Sequence, residues 1–154
     1  MGAAYFYHLT TQPLERALPM LLGKARGAGW RVEVRGHDAD RMAALDAALW
    51  AGPEEGFLPH GLAGGPHDAD QPILLTTGGG ATNAPACIMS VDGADVAAAE
   101  VQAMERVCLI FDGHDPEAVQ VARDQWKALT QAGCAAQYWA QDSGQWAMKA
   151  QAGG

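Results

Sequence analysis

The run Val107-Cys108-Leu109-Ile110-Phe111 is apolar on both of its alternating faces and is fenced by Arg106 and Asp112. A strand with no polar side has no solvent face, so this run predicts a strand in the interior of a parallel sheet. The residues after it strengthen that reading. Asp115-Pro116-Glu117 offers an N-cap, a proline for the first turn and an early acid, and Gly133 after Ala132 supplies the C′ residue that closes a helix. A buried strand feeding a capped helix is the repeating unit of an α/β sandwich.

The rest of the chain repeats this alternation. Tyr5 to Leu9 reads as a strand, followed by Thr10 and Thr11 as cap candidates and by Leu14, Leu18, Leu21 and Leu22 at helical spacing. Pro13 suits the first turn of that helix, Pro19 would remove a backbone donor, and Gly27 and Gly29 end it. Trp30 to Arg35 alternates like a strand, and Asp38 or Asp40 caps a helix carrying Met42, Leu45 and Leu49. The glycine- and proline-rich stretch 52–72 reads as a long loop. Ile73 to Thr77 and Ala86 to Val91 read as strands, 94–103 as a helix, and 135–140 with 145–149 as a terminal hairpin around Asp142-Ser143-Gly144. The expected fold is a Rossmann-like three-layer α/β/α sandwich with a mostly parallel sheet and no nucleotide-binding motif. Residues 1–150 form one domain, and 151–154 form a frayed tail.

Composition excludes several classes of function. At 154 residues, 49% of them apolar and 18% charged, the chain is globular, and no apolar run reaches the roughly 18 residues of a membrane helix. A net charge of −8 disfavours direct phosphate tracking, so a nucleic-acid surface would have to be local. The start Met1-Gly-Ala-Ala-Tyr-Phe-Tyr-His carries neither a basic nor a long apolar segment, which points to the cytoplasm. Cys87, Cys108 and Cys134 are odd in number and far apart, as expected of reduced core thiols.

Chemical motifs are incomplete. Gly78-Gly79-Gly80-Ala81-Thr82-Asn83 lacks the lysine and hydroxyl of a phosphate loop, although a small nucleotide-binding enzyme using this loop is the competing reading. His8, His37, His60, His67 and His114 have no metal-ligand spacing, so neither metal nor cofactor is expected. His67-Asp68-Ala69-Asp70 and Gly113-His114-Asp115 read as solvated turns. No serine stands in a nucleophile elbow, and no catalytic residue is assigned.

Two surfaces remain. On the 116–132 helix, Ala118, Val121, Gln125, Ala128, Leu129 and Ala132 gather as the expected core face, opposite Val119, Arg123, Lys127 and Thr130, with Trp126 at the edge. A tryptophan one turn from an arginine and beside a lysine is a socket for a ligand carrying a carboxylate and a ring, or else an amphipathic side chain lying over the sheet edge. The second surface holds Trp50, Phe57, Pro59 and His60, where a large ring in a glycine-rich loop either dips into the core or awaits a partner.

The stretch Leu45-Asp46-x-Ala-Leu49-Trp50-Ala51-x-Pro53-x-Glu55-x-Phe57-Leu58-Pro59-His60-x-Leu62-Ala63-Gly64 closely resembles the central signature of the chi subunit of bacterial DNA polymerase III holoenzyme. Phe6-Tyr7-His8-Leu9 is similar to that family's first strand, and Ala122-Arg123-x-x-Trp126-Lys127 followed by Gly133 to its C-terminal helix. The resemblance implies a non-catalytic replication subunit. Trp50, Phe57, Pro59 and His60 would face the psi subunit, or a substitute such as a helicase. Arg123, Trp126 and Lys127 would hold the acidic C-terminal tail of single-stranded-DNA-binding protein, and sequence proximity, not the resemblance, places Tyr138 or Trp139 of the following strand at the slot for its last phenylalanine. Val119 stands where the family often has a basic residue, and residues 78–83 carry no Lys or Arg where the family has a basic stretch, so weaker tail binding is expected.

Overall fold

A computed structural model describes residues 2–51, 59–78, 80–142 and 145–153. Its elements follow one another as β1 (Ala3–Leu9), α1 (Leu14–Gly27), β2 (Val32–Gly36), α2 (Ala39–Trp50), β3 (Gly61–Leu62), β4 (Ile73–Thr77), β5 (Cys87–Val91), α3 (Ala98–Ala103), β6 (Arg106–Asp112), α4 (Pro116–Gln131), β7 (Ala135–Asp142) and β8 (Gln145–Ala152). The strands form one sheet in the order β3-β4-β2-β5-β6-β1-β7-β8. Every pairing is parallel except that of β7 with β8.

The all-apolar run of β6 lies between β5 and β1, with Leu109 opposite Phe6 and Val107 opposite Ile88. Its two faces serve two cores. On one side Leu18, Leu22, Met42 and Leu45 of α1 and α2 pack on Tyr7, Val34, Cys108 and Ile110. On the other, Val101 of α3 and Ala122 and Leu129 of α4 pack on Phe6, Ile88, Leu109 and Phe111. This is the expected three-layer sandwich. Because α1 leaves β1 toward one face and α4 leaves neighbouring β6 toward the other, a crevice opens between the carboxyl ends of these two strands.

Several local expectations change. Pro13 is the N-cap of α1, and Thr10 and Thr11 do not cap it. Their amides, with that of Gln12, donate instead to Oε1 of Gln141 at 2.9, 3.0 and 3.3 Å. Pro19 sits inside α1 without ending it, and Asp38, not Asp40, caps α2. The expected long loop contains the short strand β3 and a 3-10 turn at Asp68–Asp70. Gln151 and Ala152, expected in a frayed tail, belong to β8 and pair with Gln137 and Ala136. All three cysteines lie in the core, as expected.

Gln141 joins the root of the β7–β8 pair to the β1–α1 turn. Its Nε2 donates to Oε1 of Gln12 at 3.1 Å, its carbonyl accepts from the Thr10 hydroxyl at 3.1 Å, and the residue is 9% exposed. Removing the side chain leaves three amides without their acceptor, so Gln141→Ala is expected to cost about 1–3 kcal/mol. Urea unfolding would show this as a lower midpoint at unchanged slope.

A charged cluster is buried beneath the segment leading into α3. Arg35 on β2 bonds Glu33 through Nε at 3.0 Å and Nη2 at 3.1 Å, and Glu100 on α3 at 2.9 and 2.5 Å. It also donates to the Asp95 carbonyl at 3.0 Å, while the Thr76 hydroxyl donates to Glu33 at 2.7 Å. Hydrogen bonds to Arg35 hold the Glu100 carboxyl below its ordinary range, and those to Glu100 lead in raising the affinity of Arg35 for its proton.

Candidate functional site

The inward face of α4 is rotated from the expected one. Ala122 and Leu129 are its buried residues, with Ala118, Val119 and Trp126 packed partly against the same core, whereas Val121 is 38% exposed and Ala128 and Ala132 face solvent. The physical reason is contrast. Three alanines spread around the helix, with Ala132 at its C-cap, define no strong stripe, so the large tryptophan ring decides which side lies down.

Trp126 meets Phe6 edge-on with centroids 5.3 Å apart and Tyr138 edge-on at 6.2 Å. Tyr138 lies 6.1 Å from Phe111, and its hydroxyl hydrogen-bonds Nδ1 of His8. The result is a partly exposed aromatic patch built from β1, β6, β7 and α4. Arg123 and Lys127, both exposed, stand on α4 beside it. The Arg123 charge is felt at Tyr138, where it opposes the upward push of burial on the phenol. It is felt also at His8, where it adds to the downward push of burial on the imidazole.

Arg123, Trp126, Lys127 and Tyr138 are thus neighbours on one side of the sheet. Trp139 is not among them: successive residues of a strand point to opposite faces, and its ring stacks at 6.5 Å on Tyr5 over the other core. His8 is the member that motif reasoning missed as a site residue. It bonds a residue 130 positions away, and only the pairing of β1 with β7 brings the two together. Gly113 leaves room for the ring, since a Cβ there would overlap the imidazole and the Leu9 carbonyl.

The second surface is divided. Trp50 at the end of α2 is 51% exposed and lies over the His60 ring with centroids 4.2 Å apart. His60 is only 4% exposed, with Nε2 donating to the Asp46 carbonyl at 3.1 Å and 3.2 Å from its carboxylate. It therefore supports Trp50 from beneath, while Trp50 and Pro59 are exposed. Phe57 lies outside the described residues.

The crevice at the ends of β1 and β6 has a volume of about 670 Å³ and is lined by neither surface. It is the usual ligand position of such sheets, but its cation Arg41 is already held by Glu15 at 2.6 Å and Asp92 at 3.0 Å. Asp112, Asp115 and Glu117 add further negative charge, which opposes a phosphate. No described residue of the 78–83 loop lines it, and Asn83 turns inward to donate to the Val32 and Gln71 carbonyls at 3.1 and 3.0 Å. Among the described residues, no three His, Cys, Asp or Glu side chains gather as a metal site.

The family model described as DNA polymerase III chi subunit, HolC, matches residues 1–137. The chain belongs to the chi subunit family. A search of curated proteins found no match. Chi-family membership makes the chain an accessory subunit of DNA polymerase III, at work in DNA replication. The match covers His8, Trp50, Arg123, Trp126 and Lys127 and stops one position before Tyr138. Among the described residues of this chi-family chain, no helix is long and apolar enough to cross a membrane.

Proposed function

We propose that the chain is a non-catalytic bridge within the replication machinery of the cytoplasm. Its α4 surface takes the acidic C-terminal tail of single-stranded-DNA-binding protein. Its Trp50 surface takes psi, or a substitute such as a helicase, and through that partner the clamp-loader assembly. The observation that carries this reading is the aromatic patch of Trp126 and Tyr138 beside two exposed cations, Arg123 and Lys127, in a chain of net charge −8. A tail with carboxylates and a terminal ring needs both features side by side. Trp50 and Pro59 supply an exposed aromatic anchor of the kind that dominates protein contacts, with Phe57 the remaining expected member. Contact with DNA is then indirect, in keeping with the acidic surface.

Capture of intact single-stranded-DNA-binding protein and of a version lacking its acidic tail tests the bridge. The intact protein is expected to bind at low salt and to weaken as ionic strength rises from about 50 to about 300 mM, while the truncated one does not bind. Equal capture of both forms contradicts the assignment.

A further inference from the structure

The surroundings of His8 pack its ring, with the Nε2–Cδ2 edge beside Gly113, and leave one nitrogen without a hydrogen bond among the described residues. Phe111 lies against the ring at 5.1 Å, Gly113 backs it, and Nδ1 is bonded to the Tyr138 hydroxyl. Burial raises the pKa of that phenol, so it keeps its proton, and in the tautomer in which it donates to Nδ1 the proton of the neutral ring sits on Nε2. The ring is partly exposed, and Nε2 has no hydrogen-bond partner among the described residues. Charged and titratable groups face His8 from every neighbouring element: Asp112 at the end of β6, His114 in the turn to α4, Arg123 on α4 and Tyr138 on β7. Desolvation first, then His114 and Arg123, disfavour the imidazolium, and Asp112 favours it.

Resting on the tail-binding reading, we propose that His8 is a further contact residue of the α4 surface, its Nε2 donating to a carboxylate of the bound acidic peptide. No bond other than this hydrogen bond forms. A carboxylate placed beside the ring favours the imidazolium against the desolvation that leads in keeping it neutral, so binding and proton uptake reinforce each other. Affinity then rises as pH falls from about 8 toward about 5.5, a window in which the peptide's own carboxylates stay ionised. The gain cannot exceed about tenfold per pH unit, because one proton is involved.

Calorimetric titration of the full chain with an acidic peptide ending in Pro-Phe, at pH near 8 and near 6 and in two buffers of different ionisation enthalpy, tests this. The expected result is about three- to tenfold tighter binding at the lower pH, with proton uptake. His8→Gln is expected to weaken binding at both pH values and to lose the pH dependence, while His114→Gln keeps that dependence. Should His8→Gln not fold, the His8 ring protons followed by NMR give the same answer, since its pKa rises when peptide is added. Unchanged wild-type affinity between the two pH values, an unchanged dependence in folded His8→Gln, or an unmoved His8 titration overturns the assignment of His8 alone. Absence of peptide binding at both pH values overturns the tail reading, and His8 with it.

Discussion

Arg35→Ala is expected to lower the unfolding free energy by about 3–5 kcal/mol, the largest stability loss for any single polar side chain here. Arg35 is 6% exposed and Glu33 2%, so the alanine leaves a carboxylate in the interior with one hydroxyl and no cation. The same change frees Glu100, which through Ala97 also closes the first turn of α3 at 3.0 Å. Arg35→Met paired with Glu33→Met should recover much of it by removing both charges. In the wild type the carboxyl of Glu100 is held below its usual 4.5, so its contribution is complete above that pH and is lost as pH falls through the lower folded value. Chemical denaturation of the three proteins at neutral and acid pH checks both statements.

Arg123→Ala and Trp126→Ala are expected to separate binding from folding. Arg123 is exposed and belongs to no core, so its removal should leave stability within about 0.5 kcal/mol. Removing a charge-assisted bond to a carboxylate should nevertheless weaken an acidic peptide by roughly 1.5–3 kcal/mol, which is about ten- to a hundredfold. Trp126 packs edge-on to Phe6 and Tyr138, so its truncation should cost about 2 kcal/mol of stability as well as the peptide site. Parallel thermal melts and peptide titrations distinguish the two patterns. An Arg123→Ala variant that unfolds, or one that binds like wild type, would contradict the placement of the cation at the site.

The sequence made the sheet legible where burial was extreme. A strand apolar on both sides has only one place in an α/β sandwich, and β6 occupies it. The ends of α4 were equally plain, because Asp115, Pro116 and Gly133 each answer a specific backbone requirement, down to the positive φ of 90° at Gly133. The face of α4 was not legible, since small alanines on several sides leave periodicity without contrast. The polar core was hidden for another reason. Glu33 and Arg35 alternate as solvent-facing residues would, and only the α3 segment above them makes them internal. Likewise Gln141 and His8 act on residues about 130 positions away, and short motifs carry no register. Of the site, the α4 cations and Trp126 were readable locally, whereas Tyr138 was separated from Trp139 only by the strand's alternation.

The most direct measurement is a calorimetric titration of the chain with two versions of one acidic peptide ending in Pro-Phe, one with a free terminal carboxylate and one amidated. If the α4 surface reads a carboxylate beside a ring, the free acid binds, the amide binds at least about tenfold more weakly, and added salt narrows the difference. Equal binding of the two peptides, or binding of neither to the folded chain, would contradict the account.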